Sequence, residues 1–252
     1  MKHLALLLSA FVIFISTTTF SQVTLQVGAG GGYILPTGDY AGTTEDFYDG
    51  TKYGMSSGYN FNAKVRVGLL GINLFGIIDY SSVSGDGQSE SDNKNSQVEN
   101  KQNILSFKAG PEFKFDIPMS PIDFYLDGFV SVNTFSGTVN FQGVSGVPSG
   151  EYDLGTATRV GAGIGGGVLW NIIPLVTLDF GANYNWYNLT GKQYTNYVNT
   201  NPGANYNTPR LNAYTSLNDD ADPLYQAGTN NIIGESRSIN AWEFTITAMF
   251  GI

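Results

Sequence analysis

The side chains able to do acid–base or ionic chemistry are few, and they are spaced with care. Lys64, Arg66, Lys108, Lys114 and Arg159, and against them Asp79, Glu112, Asp127, Asp179 and Glu243, sit singly inside segments that are otherwise apolar or small. A pair of inward carboxylates can act as general acid and base, and Glu112, Asp127 and Asp179 are the candidates. Lys and Arg of the same parity stand beside them, so a structural ion network is the simpler expectation. The only histidine, His3, lies in the N-terminal leader described below, which leaves no histidine base for a serine and no histidine metal site. We therefore expect no enzyme, no cofactor and no bound metal.

Other patterns invite chemistry and fail on context. GAGIGG (Gly161 to Gly166) matches the dinucleotide fingerprint, but that fingerprint needs a tight turn and a helix N-terminus after the strand, and no helical period follows. Here the glycines lie inside an alternating segment and suit close packing against neighbouring strands. Asp86, Glu90 and Asp92, and Asp219, Asp220 and Asp222, do not have the spacing of a calcium loop and read as solvated loop charge. NLT (Asn188 to Thr190) matches a glycosylation acceptor, which carries little meaning by itself.

The elements that carry the charged side chains repeat with period two. VTLQVGAGGGY (23–33), YNFNAKVRVGL (59–69), INLFGIIDY (72–80), ILSFKAGPEFKF (104–115), FYLDGFVSVN (124–133), TRVGAGIGGGVLW (158–170), VTLDFGANYNWY (176–187) and WEFTITAMFGI (242–252) each put apolar residues on one face. The third is the least regular, because Phe75 and Ile77 fall on its polar face. Each is about the ~9–11 residues that a tilted strand needs to cross a bilayer.

Connections alternate in length. Those near Gly71, at Asp116–Pro121 and at Asn171–Pro174 are short. Those at Pro36–Gly58, Ser84–Asn103, Thr134–Thr156 and Thr190–Ser238 are long and polar. An all-β, eight-stranded antiparallel up-and-down transmembrane barrel follows, with short periplasmic turns and long extracellular loops.

Charge placement decides which face meets lipid. The ten strand charges share the polar parity and balance five to five, as in a packed lumen, whereas a soluble exterior carries ~25–35% charged residues. A charge turned to mid-bilayer costs ~2–4 kcal/mol, which explains its absence from the other face. Tyr33, Tyr59, Tyr80 and Trp186 toward the long loops, and Phe115, Phe124 and Trp170 toward the short turns, suit the two interfaces.

Composition agrees. Charged residues are 13% of 252, about half the ~25% of soluble domains, with 32 Gly and 13% aromatics. The net charge of −9 and the lack of a basic patch exclude nucleic acid as a partner, and the lack of cysteine excludes disulfides. Residues 1–21 read as a signal peptide. Lys2 and His3 precede an apolar run from Leu4 to Ile15 that is too short to span, and Thr19 and Ser21 place cleavage before Gln22. Residues 22–252 are then the barrel domain, bound for the bacterial outer membrane.

GGYILPTGDY (31–40), ILSFKAGPEFKF, TRVGAGIGGGV (158–168), VTLDFGANYNWYNLTGK (176–192) and the final WEFTITAMFGI together resemble the small outer-membrane β-barrel proteins of Bacteroidota-type bacteria, often labelled porin family or OmpX/OmpA-like. The resemblance implies outer-membrane lipid around the barrel. It also implies recognition of the last strand by the barrel-assembly machinery, although Ile252 stands where a terminal Phe is usual.

For function, a non-enzymatic surface, adhesion or envelope-structural barrel is expected. Its fourth loop, rich in Tyr, Asn, Ser and Thr from Tyr194 to Tyr225, suits contact with an unknown extracellular ligand. The alternatives are a narrow passage for small solutes, with Gly161, Gly163, Gly165 and Gly167 leaving the gap, and a soluble periplasmic lipocalin-like carrier.

Overall fold

The computed structural model describes residues 24–69, 72–89, 95–195, 213–221 and 233–251. The predicted leader, Ile252 and most of the fourth loop lie outside these residues. Eight strands form a closed antiparallel barrel in chain order: β1 (Thr24–Thr37), β2 (Ser57–Leu69), β3 (Ile72–Gly87), β4 (Gln97–Asp116), β5 (Ile122–Gln142), β6 (Gly150–Ile173), β7 (Val176–Thr190) and β8 (Asn240–Gly251). β8 closes on β1, with Gln26 opposite Gly251 and Thr37 opposite Asn240. Closure matters because it leaves no unpaired strand edge over the stretch where all eight strands run together.

The strands exceed the expected lengths. β4 has 20 residues, β5 has 21 and β6 has 24, about twice what a membrane crossing requires. Much of what reads as loop at Ser84–Asn103 and Thr134–Thr156 is instead a continuation of these strands. Glu99 pairs with Asn140 and Lys101 with Thr138 across β4 and β5, and Asn140 pairs with Glu151 on β6. A β-bulge between Phe135 and Gly137 marks where β6 bends into this upper part.

Two halves stacked along one axis result, with opposite polarity. In the lower half, Leu74, Phe107, Leu126, Ile164, Ile246 and their neighbours point outward and exposed, while Lys64, Arg66, Glu112 and Asp179 are buried inside. In the upper half, Gln97, Glu99, Lys101, Glu151 and Asp153 face outward, while Val98, Val139 and Phe141 are buried. The outward charges Glu99, Lys101, Glu151 and Asp153 lie in stretches that the sequence reads as loop, so what changes is the extent of the strands and not the placing of the ten lower-strand charges.

The change occurs at nearly one level all round. Ile34 points in between the outward Tyr33 and Leu35, Ile104 points in beside the outward Leu105, and Ala241 points in beside the outward Trp242. Ile34, Val83, Ile104, Phe135, Tyr187, Ile239 and Ala241 belong to one apolar cluster that crosses the barrel at this level.

One short helix, α1 (Thr44–Tyr48), lies in the first long connection. A capping box holds its start: Asp46 N–H donates to Thr43 Oγ1 (3.1 Å) and Thr43 N–H to Asp46 Oδ2 (2.9 Å). At five residues it is too short to stand alone. Burial of Phe47 and Tyr48 against Val98, Phe141 and Tyr214 holds it in the mouth of the barrel.

Candidate functional site: a filled lumen beneath a folded head

The strand charges gather in the lower lumen as two clusters. In the deeper one, Lys64 Nζ lies 2.7 Å from Asp179 and 3.4 Å from Glu112, and Arg66 donates to both carboxylates at 2.8 Å. Tyr125 Oη donates to Asp179 Oδ1 (2.7 Å) and Asn73 to Glu112 Oε1 (2.8 Å), so lone pairs the cations leave open are also used. In the cluster above it, Lys108 Nζ reaches Glu243 (2.5 Å) and Asp79 (3.8 Å), Tyr187 Oη donates to Glu243 (2.5 Å) and Ser81 to Asp79 (2.8 Å). Such density is a requirement of burial: an unpaired ion in a low-dielectric interior costs several kcal/mol.

Three of the ten stand apart. Lys114 sits at the short-turn rim, partly exposed, between Asp116 (2.8 Å) and Asp123 (3.2 Å). Asp127 is half-buried and has no ion pair among the described residues. Arg159 turns away from the strand carboxylates and grips Asp219 of the fourth connection, with Nη2 2.7 Å from Oδ1 and Nε 2.9 Å from Oδ2.

Phe75, irregular in sequence, is a lumen residue. Its ring packs edge-on against Phe129 (centroids 6.1 Å), with Lys64 Nζ 5.3 Å from its centroid. The β6 glycines accommodate neighbouring side chains and leave no gap. A Cβ on Gly163 would run into the Phe129 ring, and one on Gly167 into the Tyr125 ring. Between the clusters a cavity of about 10 Å³ remains, lined by Asn62, Lys64, Lys108, Asp179 and Thr247 among others, enough for about one water.

Above the apolar layer the head is tied together by one knot. Asp219, which sequence context reads as solvated, is fully buried. Besides Arg159 it accepts from Asn188 Nδ2 (2.9 Å) and from the Gln193 N–H (3.1 Å). Burial alone would raise its pKa, but the Arg159 guanidinium, the Asn188 amide and the Gln193 N–H reverse that and hold the carboxyl below its ordinary value.

Arg237, just before β8, donates to the carbonyls of Leu217 (3.2 Å) and Asn218 (2.9 Å) and lies 4.2 Å over the Tyr53 ring. Tyr53 in turn donates to Leu217 O (3.2 Å), and Tyr48 to Ser145 O (2.8 Å). Thr44 donates to Gln88 O (2.6 Å), and Tyr214 Oη to Tyr48 O. All four long connections therefore meet inside the mouth.

Asp219, Arg237, Tyr53 and Tyr214 are what sequence reasoning missed. The one available signal was the inward apolar alternation of Val98, Ile104, Phe135, Val139 and Phe141, which demands something apolar to fill the mouth. Asp220 stays at the surface side of the knot, and Asp222, Glu90 and Asp92 lie outside the described residues. Among the described residues no group of acidic side chains is arranged to hold a metal ion.

No family description and no curated protein matches the chain. Solved structures resemble it in outline. Neisserial surface protein A is 14% identical with a TM-score of 0.46, over 90% of this chain and 96% of that one. Ail, the attachment invasion locus protein of Yersinia pestis, is 11% identical with a TM-score of 0.42, over 92% and 98%. A major outer membrane protein from Thermus thermophilus is 12% identical with a TM-score of 0.47, over 91% and 99%. Likeness at this level says nothing about function.

Proposed function

We propose that the chain is an integral barrel of a bacterial outer membrane that does no chemistry of its own and presents a rigid, folded head to the outside of the cell. The observation that carries this is the level at which the wall inverts. Below it the exterior is an unbroken apolar belt and the interior is ionic; above it the exterior is polar and the interior apolar. A single aqueous solvent would not select both halves, whereas lipid below and water above does.

Residues 1–21 then serve as the leader, cleaved before Gln22. The barrel-assembly machinery reads the final strand, and kinship with the small barrels of Bacteroidota-type bacteria completes the picture. The lumen carboxylates read as structural, since Glu112, Asp179, Asp79 and Glu243 each meet cations and neutral donors. A ligand-carrying soluble barrel needs a cavity, and the space between the clusters holds about one water. Solute passage is disfavoured for the same reason, with the apolar layer above as a second barrier. The head is the surface left for contact with an extracellular ligand.

Outer membranes washed in urea should retain the protein, and its gel mobility should shift on boiling in detergent. The purified barrel should give featureless traces in planar bilayers. A washed-out, unshifted band would overturn membrane integration, and steady unit conductance would restore the passage.

A further inference from the structure

At the short-turn end of the barrel the tips are apolar, where turn chemistry favours Gly, Asn or Asp. β4 passes to β5 through residues 117–121 and β6 to β7 through residues 174–175. Ile117, Met119, Ile122, Ile172, Ile173 and Leu175 are exposed there. With the outward Phe115, Phe124 and Trp170 just above, they continue the apolar belt past the ends of the strands. Met119 stands fully exposed at φ 63°, a left-handed backbone that glycine or asparagine adopts at less cost.

The polar groups of these turns are paired among themselves. Lys114 lies between Asp116 and Asp123, Asn171 Nδ2 donates to Asp123 Oδ2 (3.0 Å), and Thr177 Oγ1 to Asn171 Oδ1 (2.8 Å). Pro118, Pro121 and Pro174 bring no backbone N–H at all. Ser120 N–H donates to Ile117 O (3.1 Å) and Ile122 N–H to Ser120 Oγ (3.0 Å). Asn171 N–H donates to Pro121 O (2.8 Å), which ties the first turn to the end of β6 and makes one lip of the two turns. Water would solvate such groups unaided, whereas in hydrocarbon an unmade backbone bond costs several kcal/mol.

The outward aromatic rings are placed unevenly. Toward the head they stand on β7, β8 and β1–β3, as Trp186, Trp242, Tyr33, Tyr59 and Tyr80, while β4, β5 and β6 show Leu105, Val132 and Val160 near that level. Toward the turns they stand on β4, β5 and β6, as Phe115, Phe124 and Trp170, with Phe250 on β8. Such rings mark where an apolar span meets its interfaces. The span marked here runs obliquely, and it lies lowest on the side that carries the lip.

We propose that the lip is a lipid-binding surface: both turns sink among the acyl chains of the near leaflet, and the barrel stands tilted. The membrane then lies nearer the turns along β4–β6 and nearer the head along β8–β3. Lipid is the occupant, and not a soluble protein, because the lip is continuous with the lipid-facing belt and the two rows of rings demand the same tilt. The inference rests on the lower half lying in a bilayer.

The chain has no cysteine, so a single introduced thiol reports on a single site. Met119→Cys and Leu175→Cys test the lip, Leu25→Cys the same end of β1, Ile246→Cys the belt and Gln142→Cys the head. Each is shown by its heat-dependent gel shift to be folded, then placed in phosphatidylcholine nanodiscs, which leave both faces open to water. The probe is a charged, membrane-impermeant methanethiosulfonate, and its rate of reaction is measured. A thiol among acyl chains forms little thiolate, so Met119→Cys and Leu175→Cys should react at least ~10-fold more slowly than Gln142→Cys, as Ile246→Cys does.

Leu25→Cys should react faster than both lip variants, because the tilt lifts that end of β1 toward water. Lip thiols that react at the rate of Gln142→Cys would overturn the proposal and leave the lip for a soluble partner. Protection of Leu25→Cys equal to that of the lip would overturn the tilt. If Ile246→Cys also reacts at the rate of Gln142→Cys, the membrane reading itself fails and this inference falls with it.

Discussion

The lower and upper halves of this barrel share strands and hydrogen-bond ladders, yet each is the other turned inside out. Below the level of Ile34, Ile104 and Ala241 the core is ionic and the surface apolar; above it the core is Phe, Tyr and Val and the surface polar. Both are built on the same antiparallel ladder, so the ladder does not choose the polarity. The solvent does. In lipid an outward charge is the expensive error, and inside a narrow lumen the remaining charges must find each other. In water the hydrophobic effect again drives apolar side chains inward, and the upper strands pack as in a soluble domain.

The comparison can be broken most forcefully at Asp179. Asp179→Ala removes the carboxylate shared by Lys64, Arg66 and the Tyr125 hydroxyl, leaving Glu112 alone between the two buried cations and the hydroxyl without its acceptor. The expected cost is ~3–5 kcal/mol, read as a lower temperature for the gel shift. Retention of the native transition temperature would mean that the lower lumen is wet and the ion clusters expendable.

A paired substitution sharpens the contrast. Ile246→Lys puts a charge mid-way along β8 on the apolar face, where the native side chain is 54% exposed. It should cost ~2–4 kcal/mol in lipid. Gln142→Lys, outward at the upper end of β5, should stay within ~0.5 kcal/mol. Denaturant refolding into lipid vesicles measures both, and equal costs would erase the proposed boundary.

The smallest effect concerns acid. Asp219 is held below its ordinary pKa in the folded head, so its contribution is complete above the unfolded value of ~3.9 and disappears as pH falls through the lower, folded value. Amide-exchange protection at Gln193, whose N–H donates to Asp219, should persist at about pH 5 and fall only below ~4. In Asp219→Asn that acid step should be missing. An identical acid step in the variant would assign it to other carboxylates.

How far the sequence reaches differs between the halves in the same way. In the lower half, apolar alternation on one parity and charges on the other made strand identity and direction legible, down to Phe75 as the residue out of phase. In the upper half the sequence reads as loop because the outward residues of the strands, such as Glu99, Lys101, Glu151 and Asp153, are those of a solvated connection. The inward row changed character at the same level. Phe135 and Val132 are three apart and therefore on opposite faces, so the apolar phase slips there. Asp219 was illegible because its partners, Arg159 and Asn188, are 60 and 31 residues away.

What the sequence by itself determined is the set of lower strands, their inward and outward faces, and the alternation of short turns with long connections. These follow from a side-chain period of two and from turn composition, which are local properties of the chain. Tertiary structure alone decided which charges meet, where the wall inverts and what fills the mouth. Lys64 on β2 finds Asp179 on β7 across the lumen, 115 residues away, and only closure with a particular strand stagger brings those two to the same height.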